Sequence, residues 1–456
     1  MAGVSSDFRA FPADPATAAR LGGLGLDYRV LSPDDREALA AWSAAEHRGF
    51  HHPRPTPETL EREGALLQER RVQGVYDPAL DDATPVATVA SWPTGLSVPG
   101  GRSVDGWAVA AVTVAPTHRR RGIARAMMEA ELANAVTAGA AVAMLTATEA
   151  TLYGRYGYAP AARAATLEID RRRVEWAGAE ASGRVRFVTD AAAFRRTAGQ
   201  IVRRQVARTP GEIDRWPALV DRVLGLEDPA GEAARATRVA RYDDERGQAQ
   251  GFVSYRITRD GMGAGVLEFD FLAAASDDAE AALWRFLLEQ DFVSTVRARL
   301  RSVDEPLRWL LADQRAITTT VGDHLWLRIL DPVAALEARR YEGPGSLVLE
   351  LDDSLGHAAG RYALEVSARG VAEVQRLDGG ADASSASRAT AAPTRRSKPA
   401  HGLRLGVDAL AAMYLGDARA SLLARAGRVE ETGPGSLAVA DRLFATNRAP
   451  RLSIWF

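Results

Sequence analysis

The junction around residue 120 constrains the fold of this chain more than any other stretch. Residues 107–115 form an apolar run typical of a buried strand, and residues 122–138 place apolar side chains at helical spacing. Three consecutive arginines and a glycine separate the two elements. A second apolar run at residues 141–147 completes the order strand, helix, strand. This order predicts a βαβ crossover and therefore a fold of the α/β (α+β) class.

The turn between this strand and this helix has the composition of an anion site. A helix N-terminus leaves backbone N–H groups unpaired and carries about half a positive charge. Gly122 permits close approach of a phosphate, while Arg119, Arg120 and Arg121 add forked donors. Neither a Gly-Lys-Ser/Thr loop nor a glycine triplet is present. A solvated basic turn is the alternative, but the adjoining strand and helix favour a pyrophosphate cradle.

The middle third of the chain repeats this plan. Residues 251–258 and 266–274 are typical of strands, and a capped helix is predicted to follow Ser276. The arginines and the glycine of the first junction are replaced here by Ser276, Asp277 and Asp278. Because carboxylates repel phosphate, we predict that this second copy has lost the anion site.

The remaining segments define the predicted domain organisation. Residues 1–26 are rich in Gly, Ala and Pro, which predicts a loose N-terminal arm. A helix is expected over residues 32–45, and the low-complexity residues 378–400 predict a mobile surface loop. The apolar residues 451–456 predict a final strand. The predicted divisions are an arm over 1–26 and domains over 27–165, 166–330 and 331–456.

Composition and charge exclude several classes of protein. The net charge is -2, whereas nucleic-acid-binding proteins usually show a basic excess. The absence of cysteine excludes disulfides, Cys-ligated metal sites and a Cys nucleophile. No apolar run approaches the roughly 20 residues of a membrane helix, and the N-terminus lacks the pattern of a signal peptide. We therefore expect a cytoplasmic protein that binds neither nucleic acid nor a membrane.

Four separated motifs carry a resemblance to a known family. They are VTVAPTHRRRG from Val112, LYGRYGYAP from Leu152, LWLRILDPVAALEAR from Leu325 and MYLG from Met413. In this order they resemble the Eis (enhanced intracellular survival) family of GNAT N-acetyltransferases of actinobacteria. The resemblance implies a GNAT domain, a degenerate GNAT-like domain without cofactor and a C-terminal sterol-carrier-like α+β domain. It also implies assembly as a homohexamer.

The resemblance further implies acetyl-CoA as the co-substrate and no metal. Three strand residues are expected to meet its acetyl and pantetheine part through their backbone. The turn and the start of the helix are expected to cradle its pyrophosphate, and two residues after the next strand should line the site. The implied residues are Val112, Thr113 and Val114, then Arg120, Arg121, Gly122, Ile123, Ala124 and Arg125, and finally Thr148 and Glu149.

Acetyl transfer to an amine requires a neutral amine, a stabilised oxyanion and a proton for the leaving thiolate. Tyr153 follows the strand at 141–147, and a phenol is a suitable acid for a thiolate. The spacing alone is equally typical of a core tyrosine, and it is the resemblance that implies a general acid.

The apolar end of the chain indicates that Phe456 is tucked into the protein. Burial raises the pKa of a terminal carboxylate, so that it can act as a base. The resemblance implies that the carboxylate of Phe456 is the general base. A docked last strand with no catalytic role is the alternative.

The resemblance implies direct acetyl transfer to primary amines of aminoglycosides or similar polyamines, which are cationic small molecules. Lysine side chains are a second class of acceptor. A protein that binds a lipid or another apolar ligand, with a vestigial GNAT domain, is the alternative of a different kind. The cluster of His47, His51 and His52 is predicted to lie in a loop near the substrate mouth, without a metal.

Overall fold

The computed structural model describes residues 7–80, 83–228, 231–259, 263–377 and 401–456. The predicted loop over 378–400 lies outside the described residues. The first part of the chain contributes strands β1 (Asp27–Val30), β2 (Arg71–Tyr76), β3 (Ala87–Val98), β4 (Arg102–Val114), β5 (Val142–Thr146) and β6 (Ala159–Asp170). Its helices are α1 (Pro15–Gly22), α2 (Arg36–Gly49), α3 (Pro57–Leu67), α4 (Ile123–Thr137) and α5 (Ala150–Tyr153). The predicted crossover is confirmed, because β4, α4 and β5 follow in that order and the two strands pair in parallel.

Within the described residues 7–26, the N-terminal segment is packed against the domain, so the prediction of a loose arm is wrong for this part of it. Leu21 on α1 is fully buried, and the Thr17 hydroxyl donates to the carbonyl of Ala126 in α4 at 3.3 Å. Ahead of α1, the ring of Phe8 meets Trp107 edge to face at 6.0 Å. Asp14 caps α1 and Pro15 opens it, so a helix of two turns forms in a Gly/Ala-rich stretch.

The second part of the chain continues the same sheet. Its strands are β7 (Arg184–Phe187), β8 (Arg238–Asp243), β9 (Ala249–Thr258), β10 (Gly265–Ala274), β11 (Val293–Arg301) and β12 (Ile317–Ile329). Its helices are α6 (Ala191–Arg208), α7 (Pro217–Val223), α8 (Glu232–Ala236) and α9 (Asp277–Leu288). The twelve strands lie in the order β1-β2-β3-β4-β5-β12-β6-β11-β10-β9-β8-β7.

Strand β12 joins the two halves of this sheet. It lies between β5 and β6 and pairs antiparallel with both, with Leu325 opposite Thr146 on β5. The next neighbour of β6 is β11. The predicted boundary between residues 165 and 166 therefore falls inside β6 (Ala159–Asp170), and the sheet is continuous across it.

The second copy of the strand–helix plan has acids where the first has arginines. Ser276 caps α9 as predicted, and Asp277, Asp278 and Glu280 occupy its first turn. Arg301, at the end of β11, is buried and donates to Glu280 at 2.7 Å and to Glu305 at 2.9 Å. The positive charge of Arg301, between the end of β11 and the start of α9, is thus neutralised by the carboxylates of Glu280 and Glu305.

The last part of the chain forms a separate five-stranded sheet in the order β15-β14-β13-β16-β17. Its strands are β13 (Gly345–Asp352), β14 (Gly360–Val366), β15 (Ala372–Arg376), β16 (Gly402–Gly406) and β17 (Val429–Glu431). Its helices are α10 (Pro332–Ala338), α11 (Val407–Tyr414), α12 (Ala420–Arg425) and α13 (Ser436–Phe444). The prediction of a strand over 451–456 is wrong, because these residues pair with no described strand. Among the described residues, no helix combines the length and the apolar character needed to cross a membrane.

Candidate active site

The site begins where β4 and β5 separate. The two strands pair only from Gly106 to Ala108, opposite Val142 to Met144. Beyond this point the register of β4 against β3 shifts by one residue, and Ala111 adopts a positive φ of 54°. This is a β-bulge, which bends the strand away from its neighbour. Val112, Thr113 and Val114 follow the bulge, so their edge facing β5 is available to a ligand's amide groups.

The start of α4 has the backbone geometry expected of an anion-binding turn. Gly122 is the N-cap in the left-handed region, at a φ of 79°, and no side chain caps the helix. The first intrahelical bond runs from Ala126 N to Gly122 O, so the N–H groups of Ile123, Ala124 and Arg125 have no partner within the helix. Arg120 also has a positive φ, of 63°, which places two left-handed residues in one short turn.

Arg20 on α1 also lies at this turn, which the sequence did not predict. A Cβ on Gly122 would lie 3.3 Å from the guanidinium of Arg20 on α1. Arg20 and Arg125 both pair with Glu129, at 3.2 and 2.7 Å. Arg121 donates to the carbonyl of Leu24 at 2.9 Å, so its guanidinium ties the N-terminal segment to the cradle.

Tyr153 lies at the end of α5, directly after the separated end of β5. Its side chain is buried against Tyr158 and Trp326, with ring centroids 6.2 and 6.4 Å away. Burial, with Glu149 close by, raises the pKa of the Tyr153 phenol to about 12. The phenol therefore keeps its proton at neutral pH. Thr148 and Glu149 are exposed in the preceding turn.

The carboxylate of Phe456 lies at the other face of the same strand. The hydroxyl of Thr146, the last residue of β5, donates to a terminal oxygen of Phe456 at 2.8 Å. Successive residues of a strand point to opposite faces. Accordingly, Leu145 packs in the cluster that contains Tyr153, and Met144 packs in the cluster that the ring of Phe456 joins. Tyr153 and the carboxylate of Phe456 therefore lie on opposite faces of β5.

The chain terminus is held by a buried charge network that sequence reasoning did not find. Glu212 is fully buried, pairs with Arg215, lies 3.6 Å from the Nε of Arg451, and accepts from the backbone N–H of Ser453 at 3.1 Å. Burial opposes ionisation, but the two arginines hold the pKa of Glu212 below its ordinary value. Further along, the carbonyl of Ile454 accepts from the Nε2 of His324 at 2.8 Å.

Substituting Glu212→Gln is expected to reduce the free energy of unfolding by about 3 kcal/mol, because it leaves buried arginines without a counter-charge. Urea unfolding measures this change. Glu168→Gln, which breaks the exposed pair with Arg297, is the control and is expected to cost less than about 1 kcal/mol. Since the pKa of Glu212 is lowered in the folded state, its contribution is present above pH ~4.3 and is lost as the pH falls. Equal losses for the two variants would show that the network does not stabilise the fold.

A cavity of about 210 Å³ opens between α2, α3 and the chain terminus. Ala111, the bulge residue of β4, is part of its lining. Its lining includes Trp42, Glu46, Arg70, Trp216, Trp455 and Phe456. Helix α2 runs to Gly49, four residues beyond the predicted end, and this places Glu46 on the helix.

The histidine cluster lies partly on this helix and not wholly in a loop. His47 is on α2, where its Nε2 contacts Glu63 at 2.9 Å and its Nδ1 contacts the carbonyl of Pro53 at 3.1 Å. Burial opposes protonation, but Glu63 keeps the pKa of His47 above its ordinary value. Donor atoms of Glu46, His47 and His52 lie within 4.8 Å of one another. Because both nitrogens of His47 are already engaged, we assign no metal here.

Three comparisons with known proteins agree with this geometry. An Acetyltransferase (GNAT) domain family matches residues 27–161, a second one matches 211–329, and a Sterol carrier protein domain family matches 332–453. An N-acetyltransferase of Streptomyces avermitilis described as uncharacterized is 37% identical over 92% of this chain and 97% of its own length. The N-acetyltransferase Eis of Mycobacterium tuberculosis is 34% identical over 77% of this chain and 81% of its own.

The chain belongs to the Eis family of GNAT N-acetyltransferases. The crystal structure of Eis1 from Mycobacterium abscessus has a TM-score of 0.77 and 30% identity, and it covers 94% of this chain and all of that one. The predicted fold class is thereby confirmed, with two GNAT-type domains and a sterol-carrier-like domain. As a member of the Eis family, the protein is an acyltransferase.

Proposed function

We propose that the protein transfers the acetyl group of acetyl-CoA directly to primary amines of aminoglycosides or similar polyamines. The observation that supports this proposal is that Tyr153 and the Phe456 carboxylate lie on opposite faces of β5, close to where β5 separates from β4. We infer that these two chemically different groups carry out the two proton transfers. A lipid-binding protein with a vestigial GNAT domain has no use for such an arrangement.

Acetyl-CoA fits the groups around the point where β4 and β5 separate. The uncapped first turn of α4 offers N–H donors to the pyrophosphate, and Arg120, Arg121 and Arg20 add positive charge beside it. The backbone of Val112 to Val114 is expected to bind the amides of the pantetheine arm. Thr148 and Glu149 follow the carboxyl end of β5 and are expected to line the same acetyl-CoA site. When bound, acetyl-CoA supplies the thioester.

The carboxylate of Phe456 accepts a proton from the incoming ammonium group and leaves a neutral, nucleophilic amine. Thr146 orients this carboxylate through its hydroxyl. Tyr153 donates its phenolic proton to the leaving sulfur, and its raised pKa keeps that proton available at neutral pH. No covalent enzyme intermediate is required, which agrees with a chain that has no cysteine.

The test is release of free thiol from acetyl-CoA in the presence of aminoglycosides, polyamines and a lysine peptide. The absence of cysteine removes background from the protein. Thiol release with amine-dependent saturation is the expected result. Binding of acetyl-CoA without acetylation of any amine would overturn the proposal, and co-purification of a lipid would then favour the apolar-ligand alternative. The lysine peptide tests acetylation of protein side chains. The homohexamer implied by the resemblance and the cytoplasmic location expected from the sequence pattern stay predictions.

Substituting Gly122→Ala is expected to weaken acetyl-CoA binding at least tenfold, because the residue is left-handed and a Cβ meets Arg20 at 3.3 Å. Gly139→Ala is the matched control. Gly139 follows the other end of α4, also has a positive φ, of 76°, and has no neighbour within 4 Å of an added Cβ. Both variants should lose similar thermal stability, and isothermal titration should show weaker binding only for Gly122→Ala. Equal affinities in the two variants would contradict a cradle at this turn.

A further inference from the structure

The cavity between α2, α3 and the chain terminus is lined by two opposite charges, Glu46 and Arg70, that form no direct ion pair among the described residues, although His47 and His52 lie close to Glu46. The other charged side chains at this surface are engaged: Glu63 by His47 at 2.9 Å, and Arg222 by Glu227 at 3.0 Å. Glu46 and Arg70 influence each other's ionisation without forming an ion pair. The cavity is therefore bipolar.

Arg70 is held in place by aromatic rings and not by carboxylates. Its guanidinium carbon lies 4.0 Å from the ring centroid of Trp92 and 5.7 Å from that of Trp216. Burial, reinforced by nearby Arg222, lowers the pKa of Arg70 to about 10, so the side chain stays charged at neutral pH. Stacked guanidinium groups keep their in-plane N–H donors free for a carboxylate.

Glu46 supplies the complementary charge in the lining of the same cavity. Burial raises the pKa of its carboxyl above the ordinary value, and nearby Glu63 adds to this effect, while His47 and Arg70 oppose it. A bound ammonium group would offset the cost of burying this carboxylate and its repulsion by Glu63. The carboxylate of Phe456 lies in the same lining and would receive the proton of that amine under the proposed function.

These charges discriminate between kinds of amine. A polycation brings additional positive charges toward Arg70 and Arg222 and leaves Arg70 without an anion. An amine that also bears a carboxylate pairs with both Glu46 and Arg70, and the surrounding indole rings of Trp42 and Trp216 favour an apolar body. Resting on the acetyl-transfer step of the proposed function, we propose that zwitterionic amines, meaning primary amines that carry a carboxylate on an apolar or aromatic frame, are better acceptors than polycations.

The test compares matched acceptors that differ only in the carboxylate. Tryptophan with tryptamine, phenylalanine with phenethylamine, and lysine with cadaverine form three such pairs, and aminoglycosides complete the panel. For the wild-type chain, kcat/KM is expected to be at least tenfold higher for the carboxylated member of one pair or more. In Arg70→Gln this ratio is expected to fall about 10- to 100-fold, which is the range for a hydrogen bond to a charged group. Arg70→Lys keeps the charge and should retain part of the ratio.

Two controls separate a lost contact with the carboxylate from general damage to the protein. The turnover of the decarboxylated amine by the same variant corrects for general damage from the loss of stacking on Trp92. If Arg70→Gln does not fold, the ratio of kcat/KM values measured for the wild-type chain alone tests the inference. A wild-type ratio of one or less in every pair, an unchanged ratio in Arg70→Gln, or turnover of polycations alone would overturn this inference and leave the acetyltransferase proposal standing. Bound acetyl-CoA with no turnover of any amine would overturn both.

Discussion

A chain extended by two glycines beyond Phe456 is expected to lose at least 100-fold in kcat, with little change in its affinity for acetyl-CoA. The extension moves the terminal carboxylate away from Thr146, which holds it at 2.8 Å, and puts a neutral amide in its place. Loss of a positioned general base typically costs between about 10² and 10⁴ in rate. Steady-state thiol release at saturating acetyl-CoA measures the effect.

The same two glycines added before Met1 are the control for this experiment, since they alter the length of the chain but not its terminal carboxylate. Thr146→Val is an intermediate case, because it removes the orienting hydroxyl and keeps the carboxylate. Its kcat is expected to fall about tenfold. Full activity of the extended chain, with the protein folded, would move the general base to another residue, for which Glu46 in the same cavity is the first candidate.

Replacing Tyr153 with phenylalanine is expected to lower kcat by about 10² to 10⁴, while KM for the amine stays within a few fold. The ring and its packing against Tyr158 and Trp326 are kept, so the loss reports the missing proton donor. Because burial raises the pKa of Tyr153 to about 12, deprotonation of this residue should not limit the wild-type rate below about pH 10.

Tyr156→Phe is the matched comparison for Tyr153→Phe. Tyr156 is also buried, three residues further along, and burial also raises the pKa of its phenol. Its loss is expected to leave kcat within a few fold of the wild type. Similar kcat values for the two variants would mean that Tyr153 only packs, which is the alternative that its spacing left open.

The parts of the site that are local in the chain could be predicted from the sequence. The strand, the arginines, Gly122 and the helix after it follow one another within a short stretch, and the structure places Gly122 at the helix start as the turn requires. The same holds for the cap at Ser276 and the acids after it. In both cases a characteristic residue type at a fixed position beside the start of a helix predicts the structure.

The parts that depend on distant contacts could not be predicted. Helix α1 has only two buried side chains, Thr17 and Leu21, so its periodicity is too short to stand out from a Gly/Ala-rich segment. Glu212 looks like any loop acid until Arg451, far along the chain, is placed beside it. The last residues dock by side-chain and terminal contacts without a strand partner, which an apolar run does not distinguish from a strand.

The insertion of β12 between β5 and β6 has a consequence for the order in which the chain folds. The pairing partner of Thr146, Leu325, lies about 180 residues later in the chain. At a synthesis rate of 5 to 20 residues per second, β5 therefore lacks this partner for roughly 10 to 40 s. Throughout that interval β5 presents an unpaired edge, which other chains can recognise. The first domain therefore stays an incomplete sheet until β12 has been synthesised.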